Sequence, residues 1–131
     1  AECPRYRWLG GLPHESTRRH IQRAHVLVHA SRLEGGAHVV MEAVRCGTPV
    51  LASRIPGNVG MLGADYDGYF EPGDSAGLAR LLRHCHRELA WPGSSQYLLH
   101  LQAQCARRAP LFSPDAERAA LHRLVESLRT P

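Results

Sequence analysis

The chain has 131 residues, of which 44% are hydrophobic and 21% charged, and its formal net charge is +4. This length suits one domain with its own core, expected to span residues 1–131. The composition excludes a disordered or collagen-like chain. The longest apolar runs are far shorter than the roughly 18 residues needed to cross a bilayer. No basic segment followed by an apolar one opens the chain, so we expect neither a membrane span nor a signal peptide.

The charge pattern argues against nucleic acid as the partner. All sixteen basic residues are Arg, a bias that a GC-rich genome would explain, and they are scattered along the chain. Nucleic-acid binders concentrate such charge in runs or pair it with aromatic platforms. The positive charge therefore favours a small phosphate-bearing ligand, or no particular partner.

The four cysteines are expected to be free thiols, as is typical of a cytoplasmic protein. They stand at positions 3, 46, 85 and 105 and form no C-x-x-C pair. His84, Cys85 and His86 are consecutive, and consecutive residues of a helix point in different directions. We therefore expect no metal site and no resident cofactor.

The first 73 residues alternate between strand and helix patterns. A strand at Arg7–Leu9 is followed by a helix after Pro13, with Leu12, Thr17, Ile21 and Ala24 on one face. Next come a buried strand at His25–His29, a helix at Ala37–Cys46 ended by Gly47, and a buried strand at Thr48–Ser53. An irregular stretch from Arg54 to Gly68 then leads to a short strand at Gly68–Phe70. Alternation of this kind predicts an α/β fold, with a Rossmann-like parallel sheet flanked by helices.

Residues 74–131 are predicted to be helical. Asp74 is a natural N-cap for a first helix, a second covers about Gln96 to Arg108, and Ser113-Pro114 begins a last one. Their expected buried faces are Leu78, Leu81, Leu82 and Cys85 in the first, and Leu121, Leu124, Val125 and Leu128 in the last. We expect these helices to pack on the sheet or to reach another domain.

Loops at the carboxyl ends of the strands are the expected ligand site. These loops are Gly10–Pro13, Ser31–Gly36 and Ser53–Gly60. In the second, two glycines precede a helix whose first N–H groups have no internal partner and favour a phosphate. Glu34 and Glu42 have carboxylates suited to accepting hydrogen bonds from sugar or ribose hydroxyls. An ordinary loop followed by a solvated helix is the alternative for the same residues.

The segment Ser31–Ser53 carries a recognisable signature. It includes Glu34-Gly35-Gly36, seven residues between Glu34 and Glu42, and then Glu-Ala-x-x-x-Gly-x-Pro-Val. This pattern resembles that of the retaining family-4 (group 1) glycosyltransferases, which show P-S-x-x-E-G-F-G followed by E-A-x-A-x-G-x-P-V. Leu9-Gly10 and the Gly68–Asp74 segment also resemble stretches of that family. The resemblance covers about Arg7 to Leu82.

The resemblance implies a GT-B enzyme with two Rossmann-like domains, of which this chain is part of the C-terminal, donor-binding one. The acceptor domain on the N-terminal side is then expected outside this chain, and the isolated chain is expected to be inactive. A nucleotide-sugar donor, such as a uridine diphosphate (UDP) hexose, would be bound as substrate. By resemblance, Glu34 would be the catalytic residue that holds sugar hydroxyls near the anomeric carbon, and Glu42 would bind the ribose. The remaining implied contacts are the backbone of Gly35, Gly36, Ala37 and His38 with sugar and diphosphate, and Gly11 and Leu12 with the base.

Two departures from the family pattern stand out. Gly36-Ala37-His38 replaces the usual Phe-Gly, and Pro56–Gly63 replaces the usual Gly-Gly and Glu. Together with Arg108–Phe112, these segments are similar to a bacterial subgroup that includes selenosugar synthases, which couple a UDP-sugar with selenophosphate. The family's diphosphate-binding Arg and Lys also have no counterpart here.

Three further residues are candidate ligand contacts. Arg32 and Arg54 leave the strand ends and are expected to face one cleft, where either would neutralise diphosphate charge. Asn58 is a candidate contact with sugar or phosphate. All three are equally compatible with an ordinary surface position.

Two functions from different classes remain open. The first is retaining glycosyl transfer from a nucleotide sugar by a cytoplasmic enzyme. The second is a non-catalytic, Rossmann-like binding or assembly module that docks a partner through its basic helices. The sequence also leaves open self-association into an oligomer.

Overall fold

The computed structural model describes residues 3–33 and 38–129. Its strands are β1 (Leu27–His29), β2 (Val50–Ser53) and β3 (Tyr69–Phe70). Its α-helices are α1 (His14–Arg23), α2 (His38–Cys46), α3 (Pro56–Leu62), α4 (Ser75–Ala90), α5 (Tyr97–Arg108) and α6 (Pro114–Arg129), with a 3₁₀ turn at Ala109–Phe112 between the last two.

The three strands form a parallel sheet in the order β1-β2-β3, which confirms the predicted α/β class with a parallel sheet flanked by helices. The central strand β2 is buried along its whole length. Strand β1 is shorter than the predicted His25–His29 and lies at an edge, so the expectation of a buried strand is wrong for Val28, which is 37% exposed. Because all strands are parallel, their carboxyl ends share one edge of the sheet.

The core is built from both halves of the chain. Helix α2 buries Val40, Ala43 and Val44 against the sheet, and α5 contributes Leu101 and Cys105 to the same cluster. Helix α5 therefore contacts both α2 and β2. The predicted burial of the helix faces is confirmed for the residues that belong to this cluster.

Three helix ends behave as their residues predict. The Asp74 carboxylate accepts a hydrogen bond from the Gly77 N–H at 2.9 Å and caps α4. The Ser113 hydroxyl accepts one from the Ala116 N–H at 3.1 Å at the start of α6. Gly47 ends α2 with φ of 77°, a left-handed conformation that glycine adopts without strain.

Helix α3 contradicts the predicted irregular stretch from Arg54 to Gly68. Its sequence, PGNVGML, contains Pro and two glycines, which lower helix propensity. Pro56 occupies the first turn, however, where a missing N–H costs nothing. Burial of Asn58 and Leu62 supplies the packing that overrides propensity.

Two other expectations fail because an apolar pattern finds no surface to pack against. Arg7–Leu9 forms no strand, and Trp8 is 80% exposed. Helix α6 buries none of its residues, and its apolar face is exposed, with Leu128 78% accessible. Leu82 of α4 is exposed as well.

The four cysteines are free thiols, as predicted. Cys85 and Cys105 are buried, and burial raises the pKa of both thiols. Over the described part of the chain, every helix is too short or too polar to cross a bilayer.

Candidate functional site at the carboxyl ends of the strands

Four of the predicted site residues, Glu34, Gly35, Gly36 and Ala37, lie outside the described residues. Their roles stay predictions. The described residues that flank this segment in the chain are Ser31–Leu33 and the first turn of α2.

Glu42 lies in the middle of α2 with its side chain 15% exposed. One carboxylate oxygen is 3.9 Å from Nε2 of His14, the first residue of α1. This contact joins the start of α1, which follows Gly11 and Leu12 in the chain, to the helix that carries Glu42. Both turn residues are exposed and therefore accessible to a ligand. The structure thus places the start of α1 against Glu42, while the ribose and base contacts stay predictions.

His38 is the first residue of α2 and is exposed. Its position at the helix N-terminus agrees with the predicted placement of its backbone near an anion.

Arg32 and Arg54 both approach the turn between β3 and α4. The Arg32 guanidinium packs over Gly73, where an added Cβ would lie 3.0 Å from Nη2. Arg54 lies over the Tyr69 ring, 5.1 Å from its centroid, and donates to the Ala64 carbonyl at 3.5 Å. Each guanidinium is exposed, so its charge remains accessible to an anion.

A groove of about 440 Å³ runs between β3 and α4. Arg54 and Arg80 line it together with the acidic residues Asp67, Glu71 and Asp74. Burial raises the pKa of Tyr69, which also lines the groove, to about 12, and the nearby Arg54 partly offsets that rise. The mixed charges of the groove make it less suited to a diphosphate than the Arg32 side of the turn.

Between β1 and β2, four polar side chains form what we call the strand-end network: His29, Ser31, Ser53 and Asn58. The Ser53 hydroxyl donates to the Ser31 carbonyl and, at 3.4 Å, to the His29 carbonyl. The His29 Nε2 lies 3.3 Å from the Ser31 hydroxyl. The network therefore holds Ser31, the second residue after β1, by both its main chain and its side chain.

Asn58, the fourth member of this network, is fully buried, at 0% exposed. Its amide nitrogen donates to the Ser53 carbonyl at 2.9 Å and contacts His29 Nδ1 at 3.1 Å. The structure thus places Asn58 inside the protein rather than at a ligand-facing surface. His29, Ser31 and Ser53 had no predicted role, although His29 and Ser53 end β1 and β2 and Ser31 follows β1, at the edge where a parallel sheet presents its ligand site.

A comparison with known protein families identifies the family of the chain. The family model described as glycosyl transferases group 1 matches residues 4–86. The chain belongs to that family. No curated protein matches the chain.

Membership in the group 1 glycosyl transferases supports glycosyl transfer as the class of reaction. The matched segment contains the whole sheet, helices α1–α3 and most of α4. It therefore includes the strand-end network, Glu42 and both arginines. Helices α5 and α6 follow the matched segment.

Proposed function

We propose that this chain binds a nucleoside-diphosphate sugar, with UDP as the nucleotide, for glycosyl transfer with retention of anomeric configuration. The observation that carries the proposal is the position of Glu42. Its half-buried carboxylate faces the start of α1, within a segment that matches the group 1 glycosyl transferases.

Each part of the donor has a matching group. The two oxygens of the Glu42 carboxylate accept hydrogen bonds from the two ribose hydroxyls, and a hydrogen bond to a charged acceptor contributes about 1.5–3 kcal/mol. Gly11 and Leu12 offer an exposed surface to the base. The first turn of α2 and the Arg32 guanidinium face the diphosphate, and Glu34 holds the sugar.

The chemistry follows from this placement of charge. The bond between the anomeric carbon and the diphosphate oxygen breaks as the acceptor attacks from the same face of the sugar. Negative charge grows on the leaving diphosphate. The N–H groups at the start of α2 and the Arg32 cation stabilise that charge, which lowers the barrier.

For the acceptor, the proposal extends to selenophosphate, with a hexose as the transferred sugar. The support is the Pro56–Gly63 segment, which replaces the family's usual Gly-Gly and Glu. In the reaction, the bond from the anomeric carbon to UDP breaks and a bond to selenium forms. Mass spectrometry of the product tests this extension. Consumption of donor with another acceptor but not with selenophosphate would contradict the extension and leave donor binding intact.

The main test is a calorimetric titration with UDP-glucose and UDP-N-acetylglucosamine. Glu42→Ala is expected to weaken donor affinity by tenfold or more, since each lost charged hydrogen bond accounts for about a factor of ten. Glu126→Ala is the matched control, because Glu126 is an exposed carboxylate on α6, paired only with Arg129 in the described structure. Equal affinity of Glu42→Ala and wild type would refute the ribose role.

A further inference from the structure

The strand-end network has the composition of a catalytic triad but a different proton arrangement. The Ser53 carbonyl can only accept a hydrogen bond, so the Asn58 atom 2.9 Å from it must be the amide nitrogen. The second hydrogen of the same nitrogen points to His29 Nδ1 at 3.1 Å. His29 Nδ1 is therefore an acceptor, and the ring carries its hydrogen on Nε2.

This tautomer determines what His29 does to Ser31. A histidine activates a serine only when the nitrogen that faces the hydroxyl has a free lone pair. Here Nε2 carries the hydrogen and donates to the Ser31 hydroxyl, 3.3 Å away. The network thus orients Ser31 and does not create a nucleophile.

The Asn58 side chain is only partly satisfied by hydrogen bonds. Its Oδ1 is buried and has no hydrogen-bond partner in the described structure. A buried polar atom without a partner is destabilising, and an apolar side chain of similar size would avoid that penalty. The compensating feature is the amide nitrogen, which fixes both residues that hold Ser31.

We infer that Asn58 is a positioning residue for the donor site, acting through His29 and Ser53 on Ser31. Ser31 lies two residues after β1, in the segment that leads to Glu34, so its position fixes the path of the chain as it leaves the sheet. This inference rests on the proposed function for its binding readout, but the tautomer of His29 does not. A misplacement of about 1 Å can lower activity about 100-fold without any lost ligand contact.

The first experiment measures the tautomer alone. Long-range proton–nitrogen correlation spectra of the full chain are expected to show His29 protonated on Nε2 and unprotonated on Nδ1. Asn58→Leu is expected to change that pattern, because it removes the donor to Nδ1. A wild-type His29 protonated on Nδ1 would overturn the inference, whatever the chain binds.

The second experiment measures affinity for UDP-glucose together with thermal stability. Asn58→Leu is expected to weaken binding about tenfold or more. It removes the unpaired Oδ1 but also the donor to the Ser53 carbonyl and His29 Nδ1, so a loss of stability is expected as well. Leu62→Ala is the matched control: Leu62 lies on the same helix, is equally buried and has no part in the network. It is expected to lower stability and leave affinity unchanged. Equal affinities of Asn58→Leu and Leu62→Ala would overturn the inference.

A pair of His29 variants keeps the test informative if Asn58→Leu does not fold. Gln carries one acceptor and one donor at the end of its side chain, so His29→Gln can still accept from Asn58 and donate to Ser31. His29→Leu can do neither. Affinity near wild type for His29→Gln, with a loss of tenfold or more for His29→Leu, is expected. Equal losses in both would contradict a positioning role. If wild type binds no nucleotide sugar while the tautomer is as expected, the proposed function fails and the network stands.

Discussion

The two ends of the same short sheet use polar side chains differently. At the amino end, the Tyr66 hydroxyl donates to the Val50 carbonyl and accepts from the Val50 N–H, and Thr48 donates to the Ile21 carbonyl at 2.8 Å. These side chains satisfy backbone groups of the fold. At the carboxyl end, His29 and Asn58 bond to each other and hold the start of a loop. The polar side chains at the amino end stabilise the fold, whereas those at the carboxyl end position the start of a loop.

The largest expected effect comes from a substitution at the amino end of the sheet. A Cβ at Gly68 would lie 2.5 Å from the Val50 carbonyl oxygen and 2.6 Å from the Tyr66 ring. Neither neighbour can move freely, so Gly68→Ala is expected to cost about 3 kcal/mol of unfolding free energy or more. Gly60→Ala is the control, because a Cβ there meets nothing within 4 Å. Urea denaturation measures both variants, and similar midpoints would contradict the account.

The next largest effect is expected at alkaline pH. Burial raises the pKa of Tyr97 from its ordinary value of 10.0 to about 12, and burial raises the pKa of Tyr69 to about 12 as well, with the nearby Arg54 partly offsetting that rise. Burial raises the pKa of Tyr66 beyond that range. The folded state therefore holds protons that the unfolded chain has already lost, and stability falls as pH rises from about 10 towards 12.

Denaturation at a series of pH values checks this effect. The Tyr66→Phe variant should be less stable near pH 7, because it leaves both Val50 groups unpaired. It should also lose less stability than wild type between pH 10 and 12. Wild-type stability that stays constant over that interval would contradict the burial of these hydroxyls.

A smaller effect is expected at the carboxyl end. Gly73 has φ of 81°, and a Cβ there would lie 3.0 Å from Arg32 Nη2. Since a side chain can yield, Gly73→Ala should cost only about 1 kcal/mol of backbone strain. It should also displace Arg32 and weaken UDP-glucose binding. Gly93→Ala is the control, with a similar φ of 92° and nothing within 4 Å of the added Cβ. Equal affinities of the two variants for UDP-glucose would contradict a role for Arg32 in donor binding.

Local signals predicted much of the fold. The cap at Asp74, the stop at Gly47 and the buried run of β2 depend on neighbouring residues, and all three are confirmed. Helix α3 was missed because tertiary packing, rather than propensity, holds it. The strand at Arg7–Leu9 and the buried face of α6 were wrong because an apolar pattern does not say whether a partner surface exists.

Part of the candidate site was predictable because it, too, depends on residues that are close together in the sequence. The motif around Glu42 lies on one continuous segment, and the structure places that residue beside His14, two residues after Leu12. The strand-end network joins residues 29 and 58, which are far apart in sequence and share no periodic pattern. Asn58 was expected to contact ligand, but its position under β1 and β2 follows from the unpredicted helix α3.

The central claim is that the carboxyl ends of the strands bind a nucleotide sugar. Titration of the ¹⁵N-labelled chain with UDP-glucose, followed by amide chemical shifts, tests it most directly. We expect shifts at residues 11–14, at 31–42 and around Gly73. Shifts confined to the amino end, around residues 47–50 and 64–68, would contradict it. The absence of any shift at millimolar donor would also contradict it and favour a non-catalytic module.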